Sequence, residues 1–179
     1  YEAYDRTERM AWGVDAAKNE EVLAKEKRVY ELSQIDGVPS VMPYQVPFRQ
    51  LTTLLQTYSG DIDAVIAKLG DVKPEQEECL RRRCECAWYW VKECAPEDFK
   101  FALREDGSKA DLSGDFLNAI KRIRDEVVVK LESYQVDKDL QQAMYDIAKE
   151  IGIDPKALFT SMYQVLIAKD QGPRLASFM

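Results

Sequence analysis

The sequence predicts an all-α fold, and three observations support this prediction. Apolar residues recur at intervals of three and four along most of the 179 positions, as they do on one face of a helix. Residues that stabilise helix starts precede these stretches, and glycines follow several of them. The one alternating stretch, residues 99–103, runs at once into an Asp-Gly-Ser turn and has no evident partner strand. A globular helical bundle is therefore expected.

Four helices are predicted in the first half of the chain, separated by breaks that contain glycine or proline. They are expected over residues 19–33, 48–58, 61–69 and 74–94. Asn19 and Asp61 are expected to cap two of them, and Pro74 to begin the longest. The helical pattern of the first consists of Val22, Lys25, Val29 and Leu32. Residues 36–47 contain three prolines and predict an ordered connector.

The second half predicts an irregular connector over residues 96–111 and then three helices. These helices are expected over residues 113–133, 137–152 and 154–169, with caps at Ser113, Asp137 and Asp154. The connector separates two groups of helices, so the predicted domains are residues 1–95 and 96–179.

The composition excludes several classes of function. No apolar run approaches the roughly 20 residues of a spanning helix, so a cytoplasmic protein without a membrane partner is expected. The chain contains no histidine, the commonest general base, and we therefore predict no catalytic, cofactor-binding or metal-binding residue in it. A net charge of -7 argues against sequence-blind binding of nucleic acid, so an RNA partner must meet a local patch.

Four cysteines, at positions 79, 84, 86 and 94, form no C-x-x-C pair. Cys79, Cys86 and Cys94 follow helical intervals of seven and eight, on one face with Trp90. Because an unpaired cysteine packs as a small hydrophobe, the spacing predicts reduced, metal-free thiols in a helical core.

The longest predicted helix leaves two interpretations open for its basic and aromatic residues. Arginines 81–83 form either a phosphate-facing stripe or a solvated face that pairs with nearby acids, as Glu77 and Arg81 can at helical spacing. Of the aromatic run 88–90, Trp90 is expected in the core. Trp88 or Tyr89 then remains as a platform on which an RNA base can stack.

Two other segments carry groups suited to contact RNA. Residues 42–49, MPYQVPFR, hold an aromatic and an amide between two prolines and are either a rigid base-recognition loop or a proline-stiffened packing corner. Residues 169–175, KDQGPRL, hold Arg174 beside a Gly-Pro turn and are either an RNA contact or a helix C-cap. From Lys156 onward the chain has three basic residues and one acidic residue.

Four segments resemble the class I lysyl-tRNA synthetases, and they follow the order expected for that family. They are MPYQVPFR at 42–49, YQVLIAKDQGPRLASFM at 163–179, YDRTERMAWG at 4–13 and APEDFKFAL at 95–103. Ala168 stands where the family pattern leads us to expect glycine. The chain begins with tyrosine, which together with the resemblance predicts a piece of a longer protein.

The resemblance implies an enzyme that joins lysine to tRNA with ATP and magnesium. Its catalytic domain would be of Rossmann type and would carry H-I-G-H and K-M-S-K-S signatures, neither of which occurs here. The active site is therefore expected upstream of Tyr1, and this chain alone is expected to be inactive. The resemblance also implies an α-helix cage similar to the anticodon-binding region of the glutamyl-tRNA synthetases.

Two hypotheses for function follow. In the first, the chain recognises the anticodon stem-loop of lysine tRNA and works beside its own catalytic domain. The residues expected to bind tRNA are Tyr44, Gln45, Arg49, Gln50, Lys169, Gly172, Pro173 and Arg174. In the alternative, the chain is a structural helical module that braces the catalytic domain or mediates oligomerisation. A bracing module is expected to expose an apolar face.

Overall fold

The computed structural model describes residues 1–104, 112, 114–134 and 137–175, and every regular element in these ranges is helical. The all-α prediction is confirmed. The chain divides into two units, Tyr1–Cys94 and Ala95–Met179, and each unit has its own hydrophobic core.

The first unit contains five α-helices. They are α1 (Glu2–Ala11), α2 (Glu20–Ser33), α3 (Phe48–Thr57), α4 (Ile62–Leu69) and α5 (Pro74–Glu93). The predicted caps are confirmed, since the side chain of Asn19 accepts a hydrogen bond from the backbone N–H of Val22 and that of Asp61 accepts one from Ala64. The connector before α3 is irregular, as its prolines predict. Helices α3, α4 and α5 enclose the core around Leu51, Leu55, Val65 and Leu80.

Helix α1 was not predicted, and its packing decides which face of α2 is buried. Tyr30 is the buried residue of α2 and is turned towards α1. Val29 and Leu32, which belong to the predicted helical pattern, are exposed instead. The helix itself is confirmed, but of its predicted pattern only Val22 is partly buried, whereas Lys25, Val29 and Leu32 are exposed.

The prediction of buried cysteines is confirmed for Cys84 and wrong for Cys79, Cys86 and Cys94, which are exposed. The buried positions of α5 are Leu80, Cys84, Ala87 and Val91, at intervals of four, three and four. Cys79 and Cys86 each precede a buried residue by one position, which turns them by about 100° away from the core. Burial raises the pKa of the Cys84 thiol.

The second unit contains α6 (Asp115–Arg122), α7 (Asp137–Ile151) and α8 (Pro155–Ile167). Their core includes Ala119, Met144, Leu158 and Met162. The cap of α8 is confirmed, because the side chain of Asp154 accepts from the backbone N–H groups of Lys156 and Ala157. The predicted caps Ser113 and the side chain of Asp137 lie outside the described residues, as do positions 105–111 of the connector.

The single α-helix predicted over residues 113–133 is wrong in its second half. After α6 the chain forms a π-helical turn at Ile123–Val127 and a 3-10 segment at Val128–Ser133. Lys130 leaves helical geometry, with φ -111° and ψ 20°. Three successive valines precede Lys130. Because β-branched residues lose side-chain freedom in a helix, this run weakens α-helical propagation where the geometry changes.

Among the described residues, no helix is long and apolar enough to cross a membrane. Within the same ranges, no group of three or more Cys, Asp or Glu side chains is placed to hold a metal ion.

Candidate nucleic-acid interface

The loop at residues 42–47 is fixed to the rest of the first unit by side-chain hydrogen bonds. Gln45 donates from Nε2 to the carboxylate of Glu8 and to the carbonyl oxygen of Asp5, and its Oε1 accepts from Arg9. Gln76 of α5 donates to the carbonyl oxygen of Met42 over 2.7 Å. Tyr44 is half-buried against the core. Gln45 therefore holds the loop in place through its hydrogen bonds. Contact of Gln45 or Tyr44 with RNA remains a prediction.

Arg49 and Gln50 are both exposed on the first turn of α3, directly after the rigid loop. Pro47 precedes the helix, and no acidic residue lies in its first turn. Arg49 forms no ion pair with another described residue. The positive end of the helix dipole and the charge of Arg49 both favour an anion near the start of α3.

A buried carboxylate lies behind this loop, where α1 meets α2. Glu8 is 1% exposed, and its Oε1 accepts hydrogen bonds from the hydroxyl groups of Tyr30 and Tyr4. Trp12 donates in turn from its indole Nε1 to the Tyr30 oxygen over 3.3 Å. Burial raises the pKa of Tyr30, so this hydroxyl remains a donor to Glu8 at neutral pH. The network fixes the loop through Gln45.

The arginine run 81–83 does not form a phosphate-facing stripe. Arg81 pairs with Glu77, as the solvated-face interpretation predicts, and also with Asp63. Arg83 is turned inward, where its NH2 group lies 2.7 and 2.8 Å from the two carboxylate oxygens of Asp5. Arg82 points to solvent, 3.9 Å from a carboxylate oxygen of Asp36. The three neighbouring arginines thus have three different environments.

Of the aromatic run on α5, only Tyr89 remains exposed enough to stack on a base. Trp88 packs so closely on Gly60 that a Cβ at that glycine would lie 2.4 Å from the indole Nε1. Trp90 is partly buried, and its ring meets Phe48 edge-on at 5.1 Å. Tyr89 is 62% exposed.

In the second unit, hydrogen bonds hold the connector against the end of α8. Lys169 donates from Nζ to the carbonyl oxygens of Glu97 and Lys100, so its ammonium group holds the connector to the end of α8. Arg104 reinforces this contact, because its backbone N–H donates to the carbonyl oxygen of Leu166 over 2.9 Å. Lys169 therefore has a structural role, and its predicted contact with tRNA is untested.

Three contacts anchor the tail around Arg174. A Cβ at Gly172 would lie 2.7 Å from Cδ1 of Ile167 and 3.0 Å from the Tyr163 ring, so a larger residue would require one of these side chains to shift. The hydroxyl of Tyr163 donates to the carbonyl oxygen of Pro173 over 2.6 Å. Leu175 is 3% exposed and completes the core. Arg174, between these anchors, is exposed and forms no ion pair with another described residue.

Ala168 ends α8 in the left-handed region, with φ 55° and ψ 34°. An L-residue in this region carries strain that glycine avoids. Ala168→Gly is therefore expected to raise the free energy of unfolding of the second unit by about 0.5–1 kcal/mol. Urea titration followed by circular dichroism would measure it. Ala143→Gly inside α7 is the matched control and is expected to lower stability, and equal losses for both variants would contradict the strain.

Comparison with known proteins gives strong matches over the whole chain. The chain is 48% identical over 180 residues to the lysine–tRNA ligase of Treponema pallidum and 37% identical over 180 residues to that of Borrelia garinii. It is 35% identical over 186 residues to the lysine–tRNA ligase of Thermococcus kodakarensis. These alignments cover 100% of the chain but only 34–35% of each relative. No family model matches the chain. The resemblance drawn from the four sequence segments is confirmed.

Proposed function

We propose that this chain is the part of a lysine–tRNA ligase that recognises the anticodon stem-loop of lysine tRNA. The proposal starts from its relationship, over its whole length, to lysine–tRNA ligases. The longer protein would join lysine to tRNA with ATP and magnesium in a catalytic domain that these 179 residues do not include. The chain would correspond to the C-terminal third of the enzyme. The observation that carries the proposal is the presentation of Arg174 between Gly172, which packs on Tyr163, and the buried Leu175.

The distribution of arginine contacts supports this assignment. Most arginines in the described ranges pair with a carboxylate or donate to a backbone carbonyl, as Arg9, Arg81 and Arg122 do. Arg49 and Arg174 are exposed and make no such contact with another described residue. In a protein of net charge -7, a cation that is not neutralised locally is a suitable site for phosphate.

The tail is suited to specific recognition because it is held rigidly. Gly172 packs on Tyr163, the Tyr163 hydroxyl donates a hydrogen bond to the Pro173 carbonyl oxygen, and Leu175 is buried. The backbone around Arg174 therefore loses little conformational freedom when this residue binds a ligand. A guanidinium offers paired donors that match a phosphate or a base edge. Affinity would come from phosphate contacts at Arg174 and Arg49, and selectivity from unstacked bases.

The test is binding of the 179-residue chain to lysine tRNA and to the same tRNA with a swapped anticodon, each at two salt concentrations. We expect tighter binding of lysine tRNA at both concentrations, with both affinities falling as salt rises because phosphate contacts contribute. The chain alone should support no lysine-dependent pyrophosphate exchange. Equal affinity for the two tRNAs would contradict anticodon recognition, whereas pyrophosphate exchange would contradict the placement of the chemistry elsewhere.

A further inference from the structure

We infer that the α2 apolar face, defined as Val29 and Leu32 of α2 together with Ile35 two residues after the helix end, is covered in the longer protein by the remainder of the same chain. This inference rests on the proposed function only in treating these 179 residues as part of a longer ligase. It requires no contact with tRNA. The bracing role and the RNA-binding role would then occupy different surfaces of one chain.

The three residues of the α2 apolar face are, in chain order, 48%, 69% and 99% exposed. Val29 and Leu32 lie about one turn apart on α2, and Ile35 follows the helix after the extended cap residue Gln34. Another side of α2 is already covered by α1, because Tyr30 donates a hydrogen bond to Glu8 and Glu26 accepts one from Thr7. Single exposed apolar residues are ordinary, whereas several large ones close together in the chain indicate a contact surface.

The position of α1 identifies the occupant. Gln34, at the end of α2, donates to the hydroxyl of Tyr4 over 3.0 Å, so the start of α1 lies beside the end of α2. Residues that precede Tyr1 in a longer protein would therefore emerge close to the α2 apolar face. The relatives are about three times as long as this chain, which leaves about two thirds of their length to supply a covering surface.

Two other occupants fit the charges less well. The charges beside the apolar residues are balanced, because Glu31 pairs with Arg28 and Asp36 lies 3.9 Å from Arg82. This surface therefore has no net positive charge to attract the phosphates of a nucleic acid. A second copy would bring together two chains of net charge -7, which repel one another. An apolar partner within the same chain avoids both problems.

The experiment is photo-crosslinking in the full-length protein with p-benzoylphenylalanine in place of Ile35. The matched control carries the same group in place of Val129, which is 76% exposed on the second unit. After irradiation without tRNA, we expect most of the crosslinked product from position 35 to keep the mass of one chain. Peptide mapping should place its partner outside these 179 residues, and position 129 should give no such product.

A product of doubled mass would assign the face to a second copy, and a product that forms only with tRNA would assign it to RNA; either result overturns the inference. The absence of any product, or a partner within these 179 residues, also overturns it. Because the mapping is done without tRNA, a failure of anticodon recognition would leave the crosslinks unchanged.

Discussion

Replacing Asp5 by alanine is expected to destabilise the first unit by about 3–5 kcal/mol, because it leaves a buried guanidinium without its counter-ion. The side chains of Arg83 and Asp5 are only 12% and 7% exposed, so water compensates little for the lost pair. Nε of Arg83 already lacks a hydrogen-bond partner. The expected loss would appear as a lower urea midpoint for α-helical signal in the 179-residue chain.

Asp63→Ala is the matched control, since it breaks an arginine–aspartate ion pair of the same length at the surface. Asp63 is 81% exposed, so its pair with Arg81 is expected to contribute far less to stability, because water screens the two charges. The double variant Asp5→Ala, Arg83→Met should recover part of the loss, because no unpaired charge then remains buried. Equal losses for Asp5→Ala and Asp63→Ala would show that the pair is not buried in solution.

Local chemistry explains why most helix boundaries could be predicted from the sequence. Asn19, Asp61 and Asp154 each accept hydrogen bonds from backbone groups two or three residues ahead, and such contacts depend only on the residues nearby. Gly70 ends α4 with φ 60°, again a local preference. The ordered connector before α3 follows equally from its prolines.

The choice of buried face could not be predicted in this way, because it depends on neighbours that are distant in sequence. Asp5 and Arg83 are separated by 78 positions, and no spacing within α5 distinguishes Arg83 from Arg82. The same limit explains α2, whose apolar pattern marks a face that α1 does not cover. It also explains Cys79, Cys86 and Cys94, whose spacing fits one face of a helix but not the buried face of α5.

The candidate site shows the same division between local and distant effects. The Gly-Pro turn before Arg174 was predicted from the sequence, and the structure adds the distant anchor at Tyr163. Gln45 and Lys169 are predicted to bind tRNA because of their chemistry, yet both form hydrogen bonds with groups of their own unit. A polar residue in a segment suited to RNA recognition can therefore have a structural role, and only its hydrogen-bond partners reveal this.

Arg174→Ala is expected to weaken binding of lysine tRNA by the 179-residue chain by about tenfold to a hundredfold. The change removes one charged hydrogen-bonding group, which is worth roughly 1.5–3 kcal/mol. The side chain is exposed, whereas Gly172 and Leu175 hold the backbone, so the fold should be unaffected. Arg174→Lys should restore only part of the affinity, because an ammonium keeps the charge but loses the paired donors. Equilibrium titration with labelled tRNA would measure all three proteins.

Lys156→Ala is the matched control, because it removes the same charge from an exposed position at the other end of α8. If Arg174 acts through a specific contact, Lys156→Ala should change the affinity by less than about twofold, whereas a general effect of net charge would weaken binding equally in both variants. In the longer enzyme, Arg174→Ala should raise the KM for tRNA and leave lysine activation nearly unchanged, since the lost contact is remote from the reacting atoms. A strong loss of thermal stability with unchanged tRNA binding would instead identify Arg174 as a structural cap and would favour the bracing role for this unit.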